Sequence, residues 1–135
     1  MSVATVILLA KAPLPGRVKT RLCPPCTPDQ AARIAHAAIV DTLSAITATA
    51  GIRPLVVLDG APGPWLPPAI DVVAQVGGNL ADRLTGAFSA VTGPAILLGM
   101  DTPQVTPTQL RHALDALLEP GIDAVLGPTI DGGFW

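Results

Sequence analysis

The feature that most narrows what this chain can fold into is an alternation. Short runs of Val, Ile and Leu recur along it, and segments with apolar residues at helical spacing fall between them. Parallel strands need a crossover, and a crossover helix covers the sheet face it passes, so this alternation predicts an α/β domain with a mostly parallel sheet. The candidate strands are residues 3–10, 54–58, 70–75, 95–99 and 123–126. Helix starts are marked as well. Thr27-Pro28-Asp29-Gln30 and Thr106-Pro107-Thr108-Gln109 each offer a Thr cap, a Pro at the first helical position and a Gln three residues on from the cap, with Asn79-Leu80-Ala81-Asp82 a looser version. After Thr27, positions 31, 34, 35, 38, 39, 42, 43 and 46 form an apolar stripe on a helix ending near Gly51, and similar patterns cover 80–91 and 107–118.

A length of 135 residues suits one domain spanning 1–135, with no internal repeat and no linker to a second. The last five residues, Asp-Gly-Gly-Phe-Trp, stop where a further strand would begin, so a domain incomplete at its C-terminus is expected. The apolar run at 3–10 is too short to span a bilayer and lacks the charged start of a signal peptide, which predicts a cytoplasmic protein with no membrane span. A net charge of −2 argues against a nucleic-acid partner, which usually shows as a broad basic face. Cys23-Pro24-Pro25-Cys26 is the sole C-x-x-C pair, and His36 and His112 are distant from it in sequence. Two loop thiols fit this better than a zinc or redox centre.

Charge is distributed unevenly. Four of the eight cations, Lys11, Arg17, Lys19 and Arg21, fall within Ala10-Lys-Ala-Pro-Leu-Pro-Gly-Arg-Val-Lys-Thr-Arg-Leu22, and the remaining chain holds four cations against ten carboxylates, a formal charge of −6. The stretch follows the first strand, and ligands in open α/β sheets bind at the carboxyl ends of strands. Gly16 allows close backbone approach, the lysines supply point charges and the arginines supply paired donors, so an anion such as a phosphate is the expected ligand. Neither the Walker pattern nor G-x-G-x-x-G is present.

Asp101 follows the fourth candidate strand and Asp131 the fifth. Two carboxylates emerging at one sheet edge beside a cationic loop are the arrangement expected for Mg2+ or Mn2+ on a diphosphate. Either one alone would read as an ordinary turn residue. Gly77-Gly78-Asn79 opens a helix that carries Arg83, a further place for a phosphate or the polar edge of a base. A G-x-S-x-G elbow is lacking, and both histidines fall within helical patterns. Trp65, in the Pro- and Gly-rich segment 59–68, reads as packing over the sheet.

Four segments together, Ala10-to-Leu22, Gly77-Gly-Asn-Leu-Ala-Asp-Arg-Leu84, Leu97-Leu-Gly-Met-Asp-Thr-Pro-Gln-Val105 and Gly127-Pro-Thr-Ile-Asp-Gly-Gly-Phe-Trp135, resemble the signature segments of a family of small bacterial proteins provisionally named glycosyltransferases. That family belongs to the nucleotide-diphospho-sugar transferase superfamily, and the resemblance implies a Rossmann-like, three-layer αβα fold of the GT-A type. A weaker similarity connects the first segment to 2-phospholactate guanylyltransferase and, more remotely, to molybdenum cofactor nucleotidyltransferases. The resemblance implies that Lys11, Pro13, Gly16, Arg17, Lys19, Arg21, Gly78 and Arg83 bind the nucleotide. It also implies that Asp101 and Asp131 hold Mg2+ or Mn2+, and that Asp131 and Lys19 act in catalysis. The usual D-x-D is replaced by Gly99-Met100-Asp101, and family members continue beyond the last residue here.

The function expected is therefore a metal-dependent transfer from a nucleotide sugar to an acceptor that the sequence does not define. A nucleotidyltransferase releasing pyrophosphate from a nucleoside triphosphate is the alternative enzyme. A non-catalytic nucleotide-binding module or fragment is the alternative from another class. The oligomeric state stays open, a homodimer included.

Overall fold

The computed structural model describes residues 4–128 and 130. Four parallel strands form one sheet in the order β3-β2-β1-β4: β1 (Ala4–Lys11), β2 (Ile52–Asp59), β3 (Asp71–Ala74) and β4 (Ala95–Gly99). Three α-helices accompany them: α1 (Pro28–Thr47) between β1 and β2, α2 (Leu80–Ser89) between β3 and β4, and α3 (Pro107–Leu117) after β4. The chain therefore moves outward from β1 through β2 to β3, then returns to place β4 on the other side of β1.

Alternation along the strands sorts the side chains between two faces. Val6, Leu8, Val56, Leu58, Ile96 and Leu98 point to the face covered by α1 and α3, where they meet Ile39, Leu43, Ile46, Leu110 and Leu114. Ile7, Leu55 and Val57 point to the other face, where α2 contributes Ala87. The three-layer α/β arrangement expected from the sequence is thus present. The layers are unequal, two helices on one side and one on the other.

All three predicted helix starts form complete capping boxes. The Thr27, Asn79 and Thr106 side chains accept from the backbone N–H three residues on, and Gln30, Asp82 and Gln109 return the bond to the cap N–H. Helix α1 ends at Thr47, with Gly51 in the left-handed region just before β2. Its stripe is buried as expected except at Ile34, which sits at the stripe's rim and is exposed, while Ala32 and Ala45 are buried. The β2–β3 connection has no helix. Trp65 and Leu66 from that segment pack against the α1-side core instead, so the packing role expected for Trp65 holds. No described helix is long and apolar enough to cross a membrane.

One expected strand is absent. Residues 123–126 form no strand, and their side chains are exposed, Leu126 to 65%. A strand needs a paired edge and a buried face, and the described chain supplies neither here.

Leu8 lies at the centre of the central strand with no exposed surface. Leu8→Ala should lower unfolding free energy in urea by about 2–5 kcal/mol. A loss below about 1 kcal/mol would contradict the core placement.

Candidate functional site

Strand order reverses between β1 and β4, which opens a crevice beyond their carboxyl ends. Pairing of β1 with β4 stops at Leu9 and Gly99, whereas its pairing with β2 continues to Lys11 and Asp59. Lys11 therefore stands past the end of β4, half-buried at the lip of the crevice. The Ala12 N–H donates to the Asp59 carbonyl at 2.8 Å, carrying the β1–β2 ladder one step into the loop. Gly60 allows this closeness. A Cβ at Gly60 would lie 2.7 Å from that of Ala12.

Beyond Ala12 the loop is built from tight turns. The Leu14 N–H donates to the Ala12 carbonyl at 2.8 Å, and the Arg17 N–H donates to the Leu14 carbonyl at 3.1 Å. Gly16 has φ +78 with nothing near its missing side chain, so its role is conformational. Val18 anchors the loop by inserting against Ala32 and Ala35 of α1, with Met100 alongside. Pro13 is half-buried, whereas Pro15, Gly16 and Arg17 are exposed.

Lys19 comes next and departs from ordinary backbone geometry, with φ 49 and ψ 38. Among the described residues it alone has positive φ without being glycine, a conformation that costs of order 1–3 kcal/mol when the surroundings impose it. A 3-10 turn, Thr20–Leu22, starts here, and the Leu22 N–H donates back to the Lys19 carbonyl at 3.0 Å. The Lys19 side chain is 18% exposed, and its Nζ donates to Asp101 Oδ1 at 2.7 Å. Asp101 follows β4 and is 80% exposed on the opposite lip. Two residues separated by 82 positions thus meet across the reversal point.

The other loop cations remain available. Among the described residues the ion pairs are Lys19–Asp101, Arg53–Asp71 and Arg111–Asp115, so Lys11, Arg17 and Arg21 have no carboxylate partner there. The 3-10 turn carries Arg21 exposed at the surface. Asp131 lies outside the described residues, so its expected convergence with Asp101 has no structural counterpart here. Cys23 and Cys26 are free thiols in the segment between the 3-10 turn and α1.

A second group lies under the N-terminus of α2. Gly78 has φ +108 and packs on the Asp82 carboxylate that closes the capping box. Arg83 is half-buried in the following turn, with Nε enclosed and unpaired. Gln75, the last residue of the strand expected at 70–75 and one residue past the end of β3, also reaches this end of the sheet. Its Nε2 donates to the Ala10 carbonyl at 2.8 Å, and its Oε1 is enclosed without a partner. A polar amide directly after an apolar strand was the available signal. Its reach to β1 depended on β2 lying between β1 and β3.

A groove of about 520 Å3 lies on the α1 side of the loop, lined by Pro13, Pro15, Asp29, Ala32, Arg33 and His36. It contains neither Lys19 nor Asp101. The crevice at the strand reversal, where Lys11 stands at the lip and Lys19 meets Asp101, is the stronger candidate for anion chemistry.

The class these features define is an open, parallel α/β domain with a cationic loop at its topological switch point. A crystal structure of a protein from Desulfovibrio desulfuricans G20, provisionally named a nucleotide-diphospho-sugar transferase, superposes on it with a TM-score of 0.85 at 27% identity. The likeness covers 100% of this chain and 62% of that protein's chain. The Rossmann-like fold and the nucleotide-diphospho-sugar transferase superfamily expected from the sequence agree with this neighbour. Residues 29–135 match the family described as uncharacterized protein conserved in bacteria (DUF2064), and the chain belongs to that family. The matched region includes Arg83 and Asp101 and begins after the cationic loop. No curated protein matches the chain.

The two adjacent glycines offer a direct check on the α2 start. Gly78→Ala should cost about 1–3 kcal/mol, because a Cβ would meet Asp82 and the backbone would be strained. Gly77→Ala meets nothing within 4 Å and should change stability by about 0.5 kcal/mol or less. Equal thermal melts for the two variants would refute this account of the cap.

Proposed function

We propose that this chain is the donor-binding part of a transferase that uses a nucleotide-activated donor, foremost a nucleotide sugar. The observation that carries the reading is a loop holding Lys11, Arg17, Lys19 and Arg21 directly after β1 at the strand reversal, with Lys19 reaching Asp101 at the end of β4. The name given to the Desulfovibrio desulfuricans neighbour supports the same class. As the bond to the transferred group breaks, negative charge accumulates on the diphosphate. Fixed cations placed there beforehand stabilise that charge without reorganising. Arg17 and Arg21 can each present two parallel N–H donors to phosphate oxygens, and Lys11 and Lys19 act as point charges.

Magnesium or manganese suits the donor chemistry of Asp101, which is exposed and offers a carboxylate oxygen beyond the one held by Lys19. Among the described residues no group of three or more His, Cys, Asp or Glu side chains could hold a metal. Mg2+ commonly makes do with one or two carboxylates, substrate phosphates and water. Asp101 would hold the ion, Asp131 is the candidate second carboxylate, and the ion would supply additional charge neutralisation at the diphosphate. Asp131 and Lys19 are the proposed catalytic pair. Gly78 and Arg83 lie at the proposed base side of the site, with Pro13 shaping the phosphate loop.

The test is calorimetric titration of nucleoside diphosphates and nucleotide sugars with Mg2+ present. Arg17→Ala/Arg21→Ala should weaken nucleotide binding about tenfold or more, whereas Arg53→Ala, at the other end of the sheet, should not. Wild-type failure to bind any nucleotide would sink the reading. Pyrophosphate release from nucleoside triphosphates, with nucleotide sugars left intact, would replace glycosyl transfer with nucleotidyl transfer.

A further inference from the structure

Lys19 is the best-placed cation in the crevice and also the one whose charge is already matched. Its Nζ is 2.7 Å from Asp101 Oδ1, its side chain is largely covered, and its backbone is held in the left-handed region. Arg17 and Arg21 are exposed and have no carboxylate partner among the described residues. An anion approaching the loop therefore meets one cation already engaged by a carboxylate, Lys19, and three with no carboxylate partner among the described residues. Asp101 also adds a negative charge that opposes the anion directly.

We infer that the Lys19–Asp101 pair is an autoinhibitory contact, in which Asp101 withholds Lys19 from an anionic ligand until a cation takes its place. This rests on the proposed diphosphate site and concerns how that site is gated. A free diphosphate has to break the pair and leave Asp101 unmatched beside it. A diphosphate arriving with a divalent cation exchanges both partners at once, the cation going to Asp101 and a phosphate oxygen to Lys19. The ligand favoured is the cation–diphosphate complex over the free anion.

The physical balance makes the contact reversible. Asp101 is 80% exposed, so its half of the pair is solvated and screened. Exposed pairs of this kind contribute little net free energy, which a ligand phosphate can replace. The covered lysine loses more when left alone, and so follows whichever anion is present.

The test uses inorganic pyrophosphate as probe, titrated calorimetrically in EDTA and again in excess Mg2+. In EDTA, Asp101→Asn should bind pyrophosphate about two- to fivefold more tightly than wild type, the range an exposed ion pair represents. A general loss of negative charge would also raise affinity, so a double-mutant cycle separates the two causes. The gain should vanish when Asp101→Asn is made in a Lys19→Met background, because no lysine remains to be released. Excess Mg2+ should tighten pyrophosphate binding by wild type and much less by Asp101→Asn. Unchanged or weaker binding by Asp101→Asn in EDTA, or the same gain in the Lys19→Met background, would overturn the gate. If wild type fails to bind pyrophosphate even with Mg2+, the diphosphate site itself falls. Tight Mg2+-dependent binding by wild type with no Asp101→Asn gain removes only the gate. Asp101→Ser serves as a second variant if the Asn side chain bonds Lys19 in place of Asp.

Discussion

Parallel pairing of β1 on both of its edges is the constraint on which everything else depends. With β2 on one side and β4 on the other, β1 is buried along nearly its whole length, and the chain has to leave it, return, leave again and cross over. That path makes the strand order reverse next to β1. Loops following strands on opposite sides of a reversal diverge, so a crevice forms without any residue being dedicated to opening it. Charge at the end of β1 then becomes charge at a binding site.

Two anchors hold the loop after β1 while most of its surface stays exposed. Val18 is buried between α1 and Met100, and the Ala12 amide continues the ladder to β2. Between them the chain turns tightly at Gly16, and directly after Val18 it is forced into a left-handed residue at Lys19. The ion pair to Asp101 fixes where that lysine points. Strain in the backbone and direction in the side chain come from different parts of the fold, one from the turn that follows Lys19 and the other from the end of β4. Gln75 makes a comparable link from β3 to the Ala10 carbonyl, just before the loop starts.

How far the sequence could be read depends on the range of the interaction concerned. Capping boxes at Thr27, Asn79 and Thr106 are contained within four residues, and all three formed as expected. Strands β1, β2 and β4 were legible because burial in the sheet demands near-continuous apolar residues, and the mostly exposed edge strand β3 was legible from its short apolar run alone. The run at 123–126 carries the same local signal and forms no strand, since composition cannot report whether an edge is available for pairing. The same limit hid the role of Gln75, whose bond spans 65 residues. The loop cations were conspicuous as a cluster. That Lys19 in particular would be matched by Asp101 was not.

By itself the sequence determined the elements and the chemistry they carry: strands, helix starts, a loop rich in cations at the end of the first strand, and an aspartate at the end of the fourth. Each is a property of a short segment, fixed by periodicity, capping or turn chemistry. Tertiary structure alone decided that β4 lies beside β1. Sheet order brings Lys19 and Asp101, 82 residues apart, to 2.7 Å. Pairing order is chosen by which apolar faces bury one another over the whole chain, and no short segment contains that information.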